Sequence, residues 1–349
     1  MKEFVDRDRR ATESPSKLSQ RSGEDTETTF LPRLISRRRM LQGGMAVTGA
    51  AVLARFLPET LSAQTAAAPN DAVAAMRAQI ASAPMKSLKL GDSLTMLYGP
   101  GGNVVVSHGA DGKFVVDTFV RPVWAQLKQS LDALGNAPLR LVINTHWHFD
   151  HTDNNAAFRA AGAAILSHEN TKQRLSESHD ALGMHFDPAP ANALPTQTFK
   201  DVHTLQANGE KLTLTYFPPA HTDTDIYIHY PKSNVVHMAD VWFNGTYPFL
   251  DTSTGGNING TISASNKILA LVDSTTKIVP GHGPLGDKVA LTKYRDVLVA
   301  VRDRVQKQKA AGKILEEVIA AKPTSDFDET WGKGFTTPDR FVTTVYNTL

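Results

Sequence analysis

Apolar residues recur at helical spacing over Asp71–Ser82, with Val73, Met76 and Ile80 on one face, and Ala83-Pro84 ends that helix. From Leu88 the period changes. Short, mostly apolar runs at Leu94–Leu97, Asn103–Val106 and Phe114–Asp117 are split by Gly99-Pro100-Gly101-Gly102 and Asp111-Gly112, which predicts a β-meander. An amphipathic helix follows over Val123–Leu134, then a buried strand at Leu141–Ile143, a helix at Asn155–Ala161 and a strand at Ala164–Leu166. A second strand-rich stretch is predicted over Leu212–Val241, followed by a helix at Ile262–Leu271 and a strand at Lys277–Val279. Beyond Pro284 the pattern is helical: Lys288–Ala310, Ile314–Ala321 and a last piece from Pro338. Meanders with helices between them indicate α+β or a layered α/β sandwich. No short-period repeat or low-complexity linker interrupts 85–349, which predicts one compact unit with a helical C-terminal extension.

Composition narrows the chemistry. The 349 residues are 41% hydrophobic and 21% charged, the balance of a globular protein rather than a disordered or multi-span one. Residues 1–68 carry 11 Lys/Arg against 8 Asp/Glu, leaving 26 against 27 for the rest. A neutral body has no electrostatic footprint for nucleic acid or an anionic membrane, so the expected partner is a small-molecule substrate. Cysteine is absent, which excludes disulfides, thiolate catalysis and Cys-ligated metals.

Residues 1–35 are polar with almost no apolar periodicity and are expected to be disordered. Ser36-Arg37-Arg38-Arg39-Met40-Leu41, followed by the uncharged run Gly43–Ala54, resembles a twin-arginine export signal. The resemblance assigns 1–68 to a disordered leader and signal peptide, cleaved near Ala63 or Ala68. It implies transit by the twin-arginine (Tat) export machinery to the periplasm or the medium. Gly43–Leu57 is only 15 residues long and contains Arg55, too short for a stable membrane anchor.

The most informative stretch is Thr145-His146-Trp147-His148-Phe149-Asp150-His151, directly after the predicted strand Leu141–Ile143. Three histidines and an aspartate within six positions supply imidazole and carboxylate, the zinc ligands that remain when thiolate is missing. His146-x-His148-x-Asp150-His151 resembles the motif of the metallo-β-lactamase superfamily. Further matches follow in order: His221 in Pro219-Ala220-His221-Thr222-Asp223, Asp240 closing Asn234–Ala239, and His282 in Pro280-Gly281-His282-Gly283-Pro284. The resemblance covers about residues 88–285. It implies an αββα sandwich at 69–285, with 286–349 as a helical extension packed on it. It also implies two Zn²⁺ per chain: His146, His148 and His221 on the first, Asp150, His151 and His282 on the second, and Asp240 bridging. Asp117, at the end of the strand Phe114–Val116, matches the family's buried aspartate beneath the metal loop. Asp225 is a candidate to hold His221, and Tyr247 to donate to an oxyanion. The Gly255-Gly256 loop and Glu177–Thr196 are expected to rim the cleft. The other seven histidines are read as surface or packing residues.

The implied activity is that of a zinc-dependent hydrolase. It would cleave an activated carbonyl (lactone, ester, thioester or lactam) with a hydroxide held by two zinc ions, and Asp150 would act as the catalytic carboxylate. Class B β-lactamases carry cysteine or serine where Asp240 stands, and one group adds a substrate-gripping lysine three residues on, where this chain has Phe243. A bridging aspartate is similar to glyoxalase II and the acyl-homoserine lactonases. Two alternatives share the pattern: a mononuclear iron persulfide dioxygenase using His146, His221 and Asp240, and an exported metal-binding protein without catalysis. The oligomeric state is open, because the Val297/Val301/Val305 stripe suits packing on the sandwich or a dimer interface. Trp331 and Phe335 are read as anchors of the tail or as part of the cleft rim.

Overall fold

Alternation of side chains along the strands explains the layering of the molecule. The structure is a computed structural model that describes residues 69–181 and 184–349; the twin-arginine segment and the rest of 1–68 lie outside the described residues. Helix α1 (Pro69–Ala81) leads into a meander of β1 (Lys86–Lys89), β2 (Leu94–Gly99), β3 (Gly101–Gly109) and β4 (Gly112–Val116). Next come α2 (Trp124–Ala133), β5 (Leu139–Asn144), the single turn α3 (Phe149–Thr152), α4 (Asn155–Ala160) and β6 (Ala164–His168). Helix α5 (Glu169–Leu175) and the short hairpin β7 (His179–Ala181)–β8 (Met184–Phe186) precede β9 (Gln197–Phe199). The first sheet has the order β1-β2-β3-β4-β5-β6-β9, antiparallel through β4 and parallel from β4 to β9.

The second half builds another sheet. Strands β10 (Val202–Ala207), β11 (Glu210–Tyr216), β12 (Ile226–Tyr230) and β13 (Val235–His237) pair antiparallel, and β14 (Lys277–Val279) joins β13 in parallel after helix α6 (Ile258–Leu271). Helices α7 (Lys288–Ala310), α8 (Leu315–Ala320), α9 (Asp328–Trp331) and α10 (Pro338–Asn347) complete the chain.

Successive residues on a strand face opposite sides, and the three main cores follow that rule. Val105, Val116, Ile143 and Leu166 of the first sheet meet Leu212, Leu214, Ile228 and Val235 of the second, forming the layer between the sheets. Their neighbours Val104, Val106, Val115, Val142 and Ile165 point the other way, onto Leu127 and Leu131 of α2 and Phe158 of α4. On the far side, Tyr227, Val236 and Ile278 pack against α6, α7, α8 and α10. The order helix–sheet–sheet–helix is therefore fixed by alternation alone. The Val297/Val301/Val305 stripe of α7 is buried in this last core, so it packs on the sandwich. Fully burying each such valine contributes about 1.5–3 kcal/mol.

Two predicted boundaries differ. The second strand-rich stretch begins at Val202, not Leu212, because β10 is an edge strand with polar, exposed positions that carry little apolar signal. Helix α6 begins at Ile258, not Ile262. Its start is hidden by Gly260 in the first turn, where a Cβ would strike the carbonyl of Pro219, while the Asn257 side chain caps the helix by accepting from Gly260 N–H.

Candidate metal centre

The connections after β5, β11, β13 and β14 converge at one edge of the stacked sheets, and each carries donors suited to a metal. His146, His148, His221 and Asp240 place one donor atom each within 4.8 Å of one another, as do Asp150, His151 and His282. Asp240 sits between the groups. Its Oδ2 is 3.6 Å from His221 Nε2, 3.8 Å from His146 Nε2 and 3.2 Å from His282 Nε2, and its Oδ1 is 3.2 Å from His151 Nε2. Asp150 Oδ2 lies 3.3 Å from His282 Nε2 and 3.5 Å from His151 Nε2. Ligands about 2.05 Å from a tetrahedral zinc stand about 3.3 Å apart, so these separations suit a metal ion.

Each of four histidines is oriented by a hydrogen bond on its far nitrogen, which leaves the near nitrogen facing the centre. His151 Nδ1 donates to Asp117 Oδ2 at 2.8 Å, and the same carboxylate accepts from Thr145 N–H at 2.8 Å and Thr145 Oγ1 at 2.7 Å. Thr145 Oγ1 in turn accepts from His146 Nδ1 at 3.0 Å. His221 Nδ1 donates to the Phe249 carbonyl at 2.7 Å. His148 is reversed: its Nε2 donates to Asp251 Oδ2 at 3.0 Å, so Nδ1 faces inward.

These partners assign tautomers, and the tautomers test the fit of a cation. His148 Nδ1 and His221 Nε2 face each other at 3.0 Å, yet both protons are committed elsewhere. Two lone pairs at that distance repel unless a proton or a metal cation lies between them. His146 Nε2, His151 Nε2 and Asp240 Oδ1 are likewise buried without a hydrogen-bond partner. Buried polar atoms are otherwise almost always paired, so this concentration of orphans fits divalent metal ions.

Electrostatics divide the two groups. Burial lowers the pKa of His221 to about 4 and that of His146 well below the ordinary histidine value, so both present neutral lone pairs. His151 and His282 go the other way. Desolvation opposes their charge, but Asp240 and Asp150 outweigh it, raising His282 to about 10 and His151 well above the usual range. Asp150 falls to about 2, against desolvation, because His151 and His282 favour its charge.

Glycines let the loops close on the ligands. A Cβ on Gly102 would collide with the His151 ring, and one on Gly281 would strike Asp240 Oδ1 and the Ala239 backbone. Asp225 holds the His221 loop through the backbone, accepting from His221 N–H at 2.8 Å and Thr222 N–H at 2.9 Å, rather than through the imidazole. Its buried carboxyl is pushed up to about 7.

Two expectations are corrected. Tyr247 is buried and donates to Asp328 Oδ1 at 2.9 Å and to the Thr324 carbonyl, tying the loop to the C-terminal helices, so it offers nothing to an oxyanion. Gly256 lies beneath the site against His221 O and the Asp251 backbone, not on a rim. Asp251 is the functional residue the sequence did not disclose. It stands 103 residues from His148, and Asp251-Thr252-Ser253-Thr254 reads as an ordinary turn that its side chain caps.

The comparisons agree with this geometry. The family model of the Metallo-beta-lactamase superfamily matches residues 97–282. The alpha subunit of 2,4-dinitroanisole O-demethylase from Nocardioides sp. (strain JS1661) is 30% identical over 142 residues, 40% of each chain. This chain thus matches less than half the length of that subunit. A probable metallo-hydrolase of Methanocaldococcus jannaschii is 25% identical over 198 residues, covering 54% of this chain and 87% of that protein. Among solved structures, a metallo-beta-lactamase from Pontibacter korlensis superposes with a TM-score of 0.53 at 16% identity, over 62% of this chain and 99% of its own. The stereoselective inverting sec-alkylsulfatase Pisa1 from Pseudomonas sp. superposes at 0.59 and 14% identity, over 75% of this chain and 50% of its own. Those identities speak to the fold alone, whereas the family match spans the loops that carry His146 through His282. This chain belongs to the metallo-beta-lactamase superfamily.

Proposed function

We propose that this protein is a hydrolase that holds two divalent cations, zinc by the chemistry of its donors, and cleaves an activated carbonyl: a lactone, ester, thioester or lactam. The observation that carries the proposal is the 3.0 Å approach of His148 Nδ1 and His221 Nε2, each ring hydrogen-bonded to an acceptor through its other nitrogen, beside three buried ligand atoms without a hydrogen-bond partner. His146, His148 and His221 would hold the first ion, Asp150, His151 and His282 the second, and Asp240 would touch both. Bound there, the ions would supply a Lewis acid for the carbonyl oxygen and lower the pKa of water toward about 7.

The chain's own residues supply the rest. Asp150 is partly exposed to the cleft, with a side-chain accessibility of 13%, and its carboxylate would orient an attacking water and carry its proton. Asp117 holds His151 directly and His146 through Thr145, so one buried carboxylate fixes rings on both sides of the centre. Asp251 does the same for His148. Trp147, Phe243 and Phe249 lie against the imidazoles and line the cleft beside them. The activities of the relatives, an O-demethylase, an alkylsulfatase and a β-lactamase, differ from one another, so the reaction proposed here rests on the site. Export to the periplasm or the medium is part of the proposal.

The test is metal quantification on the purified chain followed by a hydrolysis panel of esters, lactones, thioesters and lactams with and without chelator. About two zinc ions per chain and chelator-sensitive turnover are expected. One iron per chain with oxygen consumption, or tight metal binding without any turnover, would overturn the reading.

A further inference from the structure

The cleft in front of the metal centre has a volume of about 470 Å³, enough for a small organic ligand. Its walls are aromatic: Trp147, Phe149, Phe186, Phe243, Phe249 and Phe335. Among the described residues that line it, the only titratable side chains are His148, Asp150, Asp240 and His282, all committed to the metal centre, and no Lys or Arg is present. Two guanidinium groups approach the aromatic wall from elsewhere, one of them paired with a carboxylate. Arg77 lies over the Phe149 ring and is paired with Asp153 at 2.6 Å, and Arg340 lies over the Phe335 ring.

Segments outside the family match form two of the walls. Met76 and Ile80 of α1 line the cleft, half-buried, one helical turn apart. Phe335 arrives from the loop between α9 and α10, stays 49% exposed, and meets Phe249 edge-on with ring centroids 6.0 Å apart. Phe335 thus carries the apolar lining of the cleft out to solvent.

Resting on the hydrolase reading above, we propose that the substrate is uncharged and carries an apolar alkyl or aryl arm. The arm lies between Phe335 and α1, and Met76, Ile80 and Phe335 set the preference for it. Among the residues that line the cleft no Lys or Arg meets a substrate carboxylate or phosphate, and the nearby Arg340 guanidinium stacks on the Phe335 ring. The aromatic walls instead favour buried apolar surface and ring stacking.

The experiment has two arms, each on the full chain loaded with zinc. In the first, kcat/KM is measured for p-nitrophenyl acetate, butyrate and octanoate, and for the mono-p-nitrophenyl ester of suberic acid, which ends in a carboxylate. Each methylene that enters the cleft should raise kcat/KM about fourfold. Octanoate should exceed acetate more than tenfold, and the carboxylate-ended ester should fall about tenfold or more below octanoate. Phe335→Ala and Ile80→Ala should each cut the octanoate-to-acetate ratio at least threefold, mainly through KM, whereas Val289→Ala, on the exposed side of α7, should leave that ratio unchanged. A flat chain-length profile, or preference for the carboxylate, overturns the proposal. The second arm needs no turnover: calorimetric binding of N-octylacetamide and N-ethylacetamide. Tighter binding of the octyl compound, lost in Phe335→Ala, supports the inference even when no ester is cleaved, a result that would overturn carbonyl hydrolysis alone. Equal binding of the two amides overturns the inference itself.

Discussion

Replacing Asp117 by Asn tests how the centre is held, because one carboxylate serves both metal groups. Asp117 is fully buried and adopts φ +64°, a left-handed conformation that Asn tolerates, so the change is nearly isosteric and leaves the backbone in place. The two carboxylate oxygens accept three hydrogen bonds: Oδ1 from Thr145 N–H, and Oδ2 from Thr145 Oγ1 and His151 Nδ1. Asn offers one accepting oxygen. If that oxygen takes the Oδ2 position, its NH₂ faces the Thr145 N–H, two donors nose to nose in a dry site. If it takes the Oδ1 position, both Thr145 Oγ1 and His151 lose their acceptor. Either way at least one buried donor is left unmatched, at a cost of about 1–3 kcal/mol. Partners of metal-bound histidines typically change metal affinity about 10–100-fold, so the second ion, held by His151, should bind in that range more weakly. The first ion should weaken less, since His146 feels Asp117 only through Thr145. Competition against a chromophoric chelator reads both constants, and thermal unfolding of metal-free and loaded protein reads the stability cost. If D117N folds and binds both ions within twofold of the unsubstituted chain, the proposed chain from Asp117 to the two rings is wrong.

Other predictions follow from single contacts. Gly281→Ala places a methyl against Asp240 Oδ1 and the Ala239 backbone, so it should cost about 1–3 kcal/mol in stability and displace the Asp240 carboxylate, seen as a loss of metal content. Asp251→Ala frees the His148 ring and should weaken the first ion about 10–100-fold while leaving the second nearly unchanged, which the same chelator competition resolves. In the metal-free protein His282 holds a proton, its pKa raised to about 10 by Asp240 and Asp150 against desolvation. That proton stabilises the metal-free fold fully below the unfolded pKa near 6.5, and the contribution is lost as pH rises through about 10. The same proton must leave before Nε2 can bind an ion, so affinity at the second group should climb between about pH 6 and 9. Calorimetry in buffers of different ionisation heat should detect proton release, and an affinity independent of pH over that range would refute the assignment of His282.

The parts legible in the sequence are those where local chemistry has no bland explanation. Three histidines and an aspartate after a strand have no reason to cluster for packing, and the order of His221, Asp240 and His282 behind them matched a known pattern. The alternation of Val104, Val105 and Val106, and the spacing of Val297, Val301 and Val305, encode which layer each element faces. Roles set only by distant chain segments were not legible. Asp251 and the Phe249 carbonyl meet His148 and His221 through folding, from sequence that reads as a turn. Tyr247 stands close to Asp240 in sequence yet turns to Asp328, 81 residues away. The contribution of α1 and Phe335 to the cleft likewise depends on how α1 and the loop between α9 and α10 are laid across the same face.

The central claim is that two cations sit side by side among these seven residues. Anomalous scattering at the zinc edge, from crystals of the full chain grown with zinc, measures this most directly. The account predicts two peaks about 3.5–4 Å apart, one among His146, His148 and His221 and the other among Asp150, His151 and His282, with Asp240 reaching both. A single peak, or peaks outside these side chains, would contradict it.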